Sequence, residues 1–170
     1  MNSYILLAKQ AIENYIENGG IIAQSEDLPE EFLNRSAGAF VTIMKNGELR
    51  GCIGTFSPTK ESIAKEIISN AIAAATQDHR FGPIQKEELP HLAYIVYVLS
   101  EPKIVKDFSE LDPKKYGIIV KTDVKSGLLL PDLAGVDTKE EQIAITCQKG
   151  GIDPQTEKIT IYKFTVERYA

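Results

Sequence analysis

The sequence of 170 residues has no tryptophan and contains two cysteines, two histidines and two methionines. Cys52 and Cys147 lie far apart, and two thiols do not make the disulfide framework of a small secreted domain. His79 and His91 lack the short ligand spacings of zinc sites, so we predict no metal site. The sequence also lacks a basic N-terminal leader and an apolar run of the roughly 18 residues that cross a bilayer. We therefore expect a cytoplasmic protein that does not bind membranes.

Positive charge is in the minority, because 19 lysines and arginines stand against 24 acidic residues and give a net charge of -5. A surface that neutralises nucleic-acid phosphates needs an excess of basic residues, so nucleic acid is a disfavoured partner. A glycine-rich phosphate loop is also absent, because GCIG at 51–54 lacks the lysine and the following helix that such a loop requires. We therefore predict no cofactor, although a local basic pocket remains compatible with the composition.

Three main helices are predicted. Apolar residues at helical spacing predict the first over Ser3 to Asn18, with Gly19 as its left-handed cap. An alanine-rich segment predicts the second over 63–78, and Ser57-Pro58 resembles its start. Thr138 and Glu141 match a capping box and predict the third helix, which extends to Gly150. The polar segment 24–36 indicates a surface connection with one short helical turn.

Strand patterns fill most of the remaining sequence. Asn46-Gly47 joins two apolar runs and predicts a tight hairpin, because this dipeptide tolerates positive φ angles. Further strands are predicted at 93–99, 103–106, 116–121, 126–131 and 159–169. No repeat or linker divides the chain. We therefore predict one α+β domain over residues 1–170, two-lobed, with a curved, mostly antiparallel or mixed sheet and about three main helices.

The second strand of the hairpin, within GELRGCIGTF at 47–56, carries the strongest candidates for a site. A regular register places Arg50 and Cys52 on one face, where a guanidinium favours a thiolate. The opposite face then supplies the core with Phe40, Met44, Leu49 and Ile53. Glycine in a strand often marks the close approach of another group, so Gly51 and Gly54 are expected to leave the backbone open to a ligand. The alternative is that Cys52 is a small packed hydrophobe.

A second cluster follows the alanine-rich helix. Asp78 lies at the helix C-terminus, where an acid is unfavourable without a cation, so Arg80 or Arg50 is expected to pair with it. The alternative is an ordinary exposed acid in a turn. Glu88 is a candidate general acid or base, but the KEEL segment also matches a solvated charge cluster. We expect Phe81 in the core and Cys147 buried on its helix.

The motif LRGCIGTF resembles the hallmark of the AMMECR domain family, whose prokaryotic members are called AmmeMemoRadiSam system protein A. GAFVTI before it and AAATQDHRFGPIQKEEL, YGIIV, LLLP and CQKGGI after it extend the resemblance over nearly the whole chain. The resemblance implies a two-lobed α+β fold, a cavity lined by signature residues, and genes for a Memo-like protein and a radical SAM protein in the same genomic neighbourhood, which makes these two proteins possible partners. The positions of this chain that match the signature residues of the family are Leu49, Arg50, Gly51, Cys52, Ile53, Gly54, Asp78, Arg80, Phe81, Glu88, Pro131 and Cys147. The family's tryptophan near the third helix has no counterpart here.

The resemblance does not specify a reaction. Our leading hypothesis is a cavity that binds or modifies a small anionic ligand or a modified side chain. In an enzymatic version Cys52 is the nucleophile, Arg50 anchors the anion, and Glu88 or Asp78 carries a proton. The ligand-binding candidates are Arg50, Gly51, Gly54, Asp78 and Arg80. The alternative is a non-catalytic module that docks the Memo-like or radical SAM partner, and a nucleic-acid-associated role ranks third. No histidine motif that activates a thiol decides between enzyme and binding module.

Overall fold

The computed structural model describes all residues, Met1–Ala170, and contains four α-helices, two short 3₁₀ helices and eight strands. The helices are α1 (Ser3–Asn18), α2 (Glu30–Asn34), α3 (Ile63–Thr76) and α4 (Lys139–Gly150), and the 3₁₀ helices are Lys86–His91 and Phe108–Glu110. The strands are β1 (Ala39–Lys45), β2 (Glu48–Gly54), β3 (Leu92–Leu99), β4 (Lys103–Ile104), β5 (Gly117–Lys121), β6 (Ser126–Leu129), β7 (Thr160–Phe164) and β8 (Val166–Tyr169). The predicted α+β class is confirmed. None of the helices combines the length and apolar character needed to cross a membrane.

The strands form two four-stranded sheets, ordered β2-β1-β3-β8 and β4-β7-β5-β6. The chain divides into two compact units, one of residues 1–99 with 167–170 and one of residues 100–166. The segment 159–169 was expected to be one strand, and this prediction is wrong, because β7 belongs to the second sheet and β8 to the first. Thr165 interrupts the strand: its N–H donates to the Ser100 hydroxyl at 2.8 Å, and its carbonyl accepts from the Ser100 N–H at 2.9 Å.

The helix ends follow capping chemistry. Asn2 Oδ1 accepts from the Tyr4 N–H at 2.9 Å, and Gly19 ends α1 at φ 70°, as predicted. The capping box of Thr138 and Glu141 at α4 is also confirmed. The predicted start of α3 at Ser57-Pro58 is wrong, because α3 begins after Ser62.

Glu66 accounts for this later start of α3. Its carboxylate is completely buried and accepts from the N–H groups of Thr59 and Lys60, each at 2.8 Å. The hydroxyls of Thr55 and Thr59 also donate to it, at 2.7 and 2.8 Å. Four donors therefore fold the segment before Ser62 into a loop around one side chain, so those backbone groups do not begin a helix.

The core face of β1 differs from the predicted one. Ala39, Val41 and Ile43 are completely buried and belong to the same core cluster as apolar residues of α1 and α3. Phe40 and Met44, which were predicted to form the core, are half-buried on the other side of the strand, and Leu49 is exposed. Of the predicted core set, Ile53 alone packs against this cluster.

A β-bulge at Arg50 explains the β2 part of this difference, because it separates Leu49 and Ile53, which a regular strand would place on one face. The hairpin begins in the predicted register, with Lys45 opposite Glu48 and Met44 opposite Leu49. The register then shifts, so Ile43 pairs with Gly51 and not with Arg50. One extra residue on β2 reverses which face its following side chains occupy, because side chains alternate along a strand. Cys52 consequently lies opposite Thr42.

The glycines of β2 accommodate the protein's own packing. A Cβ atom on Gly51 would overlap the carbonyl oxygen of Ala74 in α3, and one on Gly54 would overlap the Phe40 ring. The expectation that these glycines leave the backbone open is therefore wrong, since the space beside each α-carbon is filled. Gly51 allows α3 to approach β2 at backbone distance.

We predict that Gly51→Ala destabilises the protein by about 3 kcal/mol, because the new methyl group would overlap the backbone carbonyl of Ala74, which cannot move without shifting α3. Urea denaturation measures this change. Gly20→Ala is the matched control, because its Cβ would meet only the side-chain tip of Asn14, at 3.2 Å. Equal losses of stability in the two variants would show that the contact between Gly51 and Ala74 tolerates expansion.

Candidate functional site

Cys52 lies half-buried on β2 and is anchored through its backbone. Its N–H donates to Asp78 Oδ2 at 2.9 Å, and its Sγ lies 3.1 Å from Thr42 Oγ1, a contact in which either atom can be the donor. The thiol therefore has a hydroxyl partner on the neighbouring strand. A hydroxyl that donates to sulfur stabilises a thiolate, because the hydrogen bond favours the charged form.

Asp78 is buried just beyond the end of α3, with 7% of its surface exposed. Arg80 donates to it in a two-pronged arrangement, from Nε to Oδ1 at 3.0 Å and from Nη2 to Oδ2 at 2.8 Å. These hydrogen bonds are the main reason that the pKa of Asp78 lies far below its usual range, and the N–H of Cys52 contributes further. Asp78 is consequently ionised at neutral pH with both oxygens engaged.

Arg80 carries exposed positive charge at this cluster. Its side chain is 59% exposed, and its guanidinium carbon lies 5.2 Å from the centre of the exposed Phe81 ring. The hydrogen bond with Asp78 is the main cause that raises the pKa of Arg80, and electrostatic attraction to Asp78 and to Cys52 adds to it. Nε and Nη2 serve Asp78, which leaves Nη1 directed to no protein acceptor.

Arg50 belongs to a different cluster. Its guanidinium pairs with Glu88, from Nε to Oε1 and from Nη2 to Oε2, both at 2.9 Å. Nη1 and Nη2 also donate to the carbonyls of Gly82 and Pro83, at 3.1 and 3.2 Å. All three guanidinium nitrogens therefore bind protein acceptors. The expected pairing of Arg50 with Asp78 is wrong, because the bulge places Arg50 against the 82–88 segment.

Glu88 is largely enclosed, with 14% of its side chain exposed, so it is not a solvated surface charge. It also accepts from Lys45 Nζ at 2.8 Å and from the Gln85 N–H at 2.9 Å. The hydrogen bonds from Arg50 are the largest cause that lowers the pKa of Glu88 to about 2. Such a carboxylate holds no proton at neutral pH and has no unoccupied oxygen with which to accept one.

The remaining candidates lie as follows. Asp78 is not an exposed turn acid, and Arg80 is the one of its two proposed cations that pairs with it. Phe81 is 38% exposed and not in the core, contrary to expectation. Cys147 is buried in the second unit as expected, and burial raises its pKa. His79 and His91 are both exposed.

Thr42 and Lys45 are the participants that sequence reasoning missed. Thr42 contacts the thiol of Cys52, and Lys45 pairs with Glu88. A signal for Thr42 was present, because it is a polar residue between the apolar Val41 and Ile43. Val41 and Ile43 are completely buried on the core side, so Thr42 necessarily points to the other face.

Comparisons with a family model, with curated sequences and with solved structures all find similar proteins. The AMMECR1 family model matches residues 5–169. A protein of Thermotoga maritima is 54% identical over 167 residues, which cover 98% of this chain and 96% of that protein. A protein of Clostridium acetobutylicum is 46% identical over 98% of this chain, but the match spans 35% of that longer protein. The crystal structure of an uncharacterised protein from Pyrococcus horikoshii superposes with a TM-score of 0.89 at 34% identity and covers 97% of this chain and 88% of that one.

We predict that Arg50→Gln and Glu88→Gln are strongly coupled in a double-mutant cycle, by about 2 kcal/mol, because removing either partner leaves the other charge enclosed. Chemical denaturation of the four proteins measures the coupling. The matched cycle of Arg50→Gln with Asp78→Asn should be additive within about 0.5 kcal/mol. Coupling in the second cycle alone would contradict the assignment of Arg50 to Glu88.

The pH dependence of stability gives an independent test of Glu88. The pKa of Glu88 is about 2 in the folded chain against 4.5 ordinarily, so unfolding takes up a proton between these values. The stabilisation that ionised Glu88 contributes to the folded state is therefore fully present above about pH 4.5 and is lost as pH falls towards 2. Over that range wild type should lose on the order of 2 kcal/mol more than Glu88→Gln in chemical denaturation.

The neighbouring exposed acid supplies the control for that pH series. Glu87→Gln removes the same charge from the same 3₁₀ helix without touching Arg50. It should keep the wild-type loss of stability on acidification. If Glu88→Gln and Glu87→Gln have the same pH profile, Glu88 is not held in its charged form by the folded structure.

Proposed function

This chain belongs to the AMMECR1 family, and on that premise we propose that its signature strand forms a binding site for a small anionic ligand or an anionic modified side chain. Arg80 supplies the anion contact, and Cys52 lies beside the bound group. The observation that carries the proposal is that one buried carboxylate, Asp78, holds two groups together. It pairs with the exposed Arg80 guanidinium, and it accepts a hydrogen bond from the backbone N–H of Cys52.

Arg80 meets the physical requirements of an anion anchor. Its two hydrogen bonds to Asp78 fix the plane of the guanidinium, so little side-chain freedom remains to be lost on binding. Nη1 remains available, and the exposure of the side chain keeps it accessible. Arg50, by contrast, has 15% of its side chain exposed and binds protein acceptors through every nitrogen. We therefore assign the ligand contact to Arg80 and a structural role to Arg50.

The hydrogen bonding of the acids favours binding over catalysis. A cysteine nucleophile needs a group that takes and returns protons, and Asp78 and Glu88 were the candidates. Each carboxylate accepts several charged or backbone donors, and the pKa of each is strongly lowered. Neither carries a proton at neutral pH. Thr42 can orient the thiol, but a hydroxyl is not a general base at that pH.

The same argument favours the partner hypothesis in its non-catalytic form. An anionic group on a Memo-like or radical SAM protein would satisfy Arg80 as well as a small molecule does. We propose that such docking takes place in the cytoplasm and that the thiol of Cys52 contacts the docked group. A role with nucleic acid has weaker support, since the chain carries a net charge of -5.

We predict that Arg80 attracts anionic reagents to Cys52. The test compares alkylation of Cys52 by negatively charged iodoacetate and by neutral iodoacetamide, measured for each peptide by mass spectrometry. The rate ratio of iodoacetate to iodoacetamide should fall about fivefold in Arg80→Gln, the equivalent of roughly 1 kcal/mol of charge attraction at a solvated site. The ratio cancels changes in thiol reactivity that affect both reagents alike.

Two other arginine variants serve as controls. Arg35→Gln removes a charge that pairs with Glu167, and Arg50→Gln removes the bulge arginine. Both should retain the wild-type ratio, although Arg50→Gln should be less stable. An unchanged ratio in Arg80→Gln, or an equal fall in all three variants, would refute Arg80 as the anion anchor. Cys147, buried in the second unit, should react more slowly than Cys52 throughout.

A further inference from the structure

A second concave surface lies wholly within the unit of residues 100–166. It is a cleft of about 480 Å³ whose lining includes Lys103, Lys115, Lys163, Glu101 and Tyr116, with Phe164 buried beneath it. This volume falls within the range of small-molecule sites. We name it the Tyr116 cleft. None of its residues belongs to the Cys52 and Arg80 site.

Three lysines converge on the Tyr116 cleft. The Nζ atoms of Lys163 and Lys115 lie 4.8 and 5.0 Å from the centre of the Tyr116 ring, within the range of cation–π attraction. Lys103 is directly opposite Lys163 in the antiparallel pair of β4 and β7. Directly opposed residues of an antiparallel pair project to the same face, so the cleft receives both charges.

This arrangement of lysines is electrostatically unfavourable. Like charges directly opposite on neighbouring strands are destabilising. The acidic compensation is small: Glu110 lies 3.8 Å from Lys163 Nζ, while Lys103 and Lys115 have no carboxylate within 4.0 Å. Glu101 lines the cleft but forms no ion pair with these lysines. The positive charges of Lys103 and Lys115 in this cleft are therefore not paired with a carboxylate.

The aromatic part of the cleft is held rigidly. The Tyr116 N–H donates to the carbonyl of Asp112 at 2.8 Å, and its carbonyl accepts from Gln142 Nε2 at 2.8 Å. Gln142 is completely buried, so this contact fixes the Tyr116 backbone from inside the unit. The Phe164 ring fills the space beside the α-carbon of Gly117. The Tyr116 backbone is therefore fixed from inside the unit, and the Phe164 ring is packed in its interior.

We propose that the Tyr116 cleft binds a small molecule that carries phosphate groups. Lysine ammonium groups bind phosphate as point charges, and several together match the multiple negative charges of a phosphate ester or diphosphate. Binding removes the repulsion between Lys103 and Lys163, and the half-buried Tyr116 ring offers apolar surface to the rest of the molecule. This proposal is independent of the Arg80 site.

Inorganic pyrophosphate is a suitable probe, and isothermal titration calorimetry of the full chain measures its binding. Lys103→Gln and Lys163→Gln should each weaken binding at least about fivefold, because each removes one ammonium contact at a partly solvated site. Two variants serve as charge-matched controls: Lys158→Gln, at an exposed lysine of the same unit outside the cleft, and Lys86→Gln, at an exposed lysine of the other unit. Both controls should bind pyrophosphate within about twofold of wild type.

Thermal unfolding without pyrophosphate supplies a second readout. Lys103→Gln should unfold at the same temperature as wild type or higher, because it removes one of two opposed positive charges. A lower midpoint, no binding to wild type at millimolar pyrophosphate, or equal weakening by all four variants would each overturn the proposal. A separate Arg80→Gln variant tests the other site: loss of pyrophosphate binding in this variant, with wild-type binding in Lys103→Gln and Lys163→Gln, would also overturn the proposal and place the pyrophosphate at the Arg80 site.

Discussion

The carboxylate of Asp78 is the group on which the geometry of the candidate site depends. One of its oxygens accepts the amide of Cys52 on β2, and both accept the Arg80 guanidinium beyond α3. A strand and a helix end are thereby joined through one ionised side chain. Because a charge removed from water requires several donors, the burial of Asp78 makes the positions of Cys52 and Arg80 interdependent. Cys52 and the Arg80 guanidinium are therefore held in fixed positions relative to each other.

Local chemistry made much of the first unit predictable. The bounds of α1, its Gly19 cap and the turn at Asn46-Gly47 depend on neighbouring residues, and the sequence contained what was needed. The bulge at Arg50 depends on distant groups, namely Glu88 and the carbonyls of the 82–83 segment. A one-residue shift exchanges the two faces of a strand, so this unpredicted bulge changed the partners and faces of the β2 residues that follow Arg50. The pairing of Asp78 with Arg80, two residues apart, could be predicted from the sequence, while the pairing of Arg50 with Glu88 could not.

The two proposed anion sites use different cations for physical reasons. Arg80 has a planar guanidinium that is oriented by one buried acid, and its Nη1 remains available to bind an anion. The lysines around Tyr116 are flexible point charges whose positions are guided by attraction to an aromatic ring. The first arrangement suits a single anionic group in a defined direction. The second suits several charges whose spacing is less strictly defined.

The close contact of Gly51 with Ala74 has a consequence for how the thiol meets its ligand. Because backbone touches backbone there, β2 has no space to shift towards α3, and the next residue, Cys52, is held by its own amide. The sulfur atom can move only by rotation of its side chain. In the proposed site Cys52 is therefore a fixed point, and a binding molecule has to fit the existing shape of the protein.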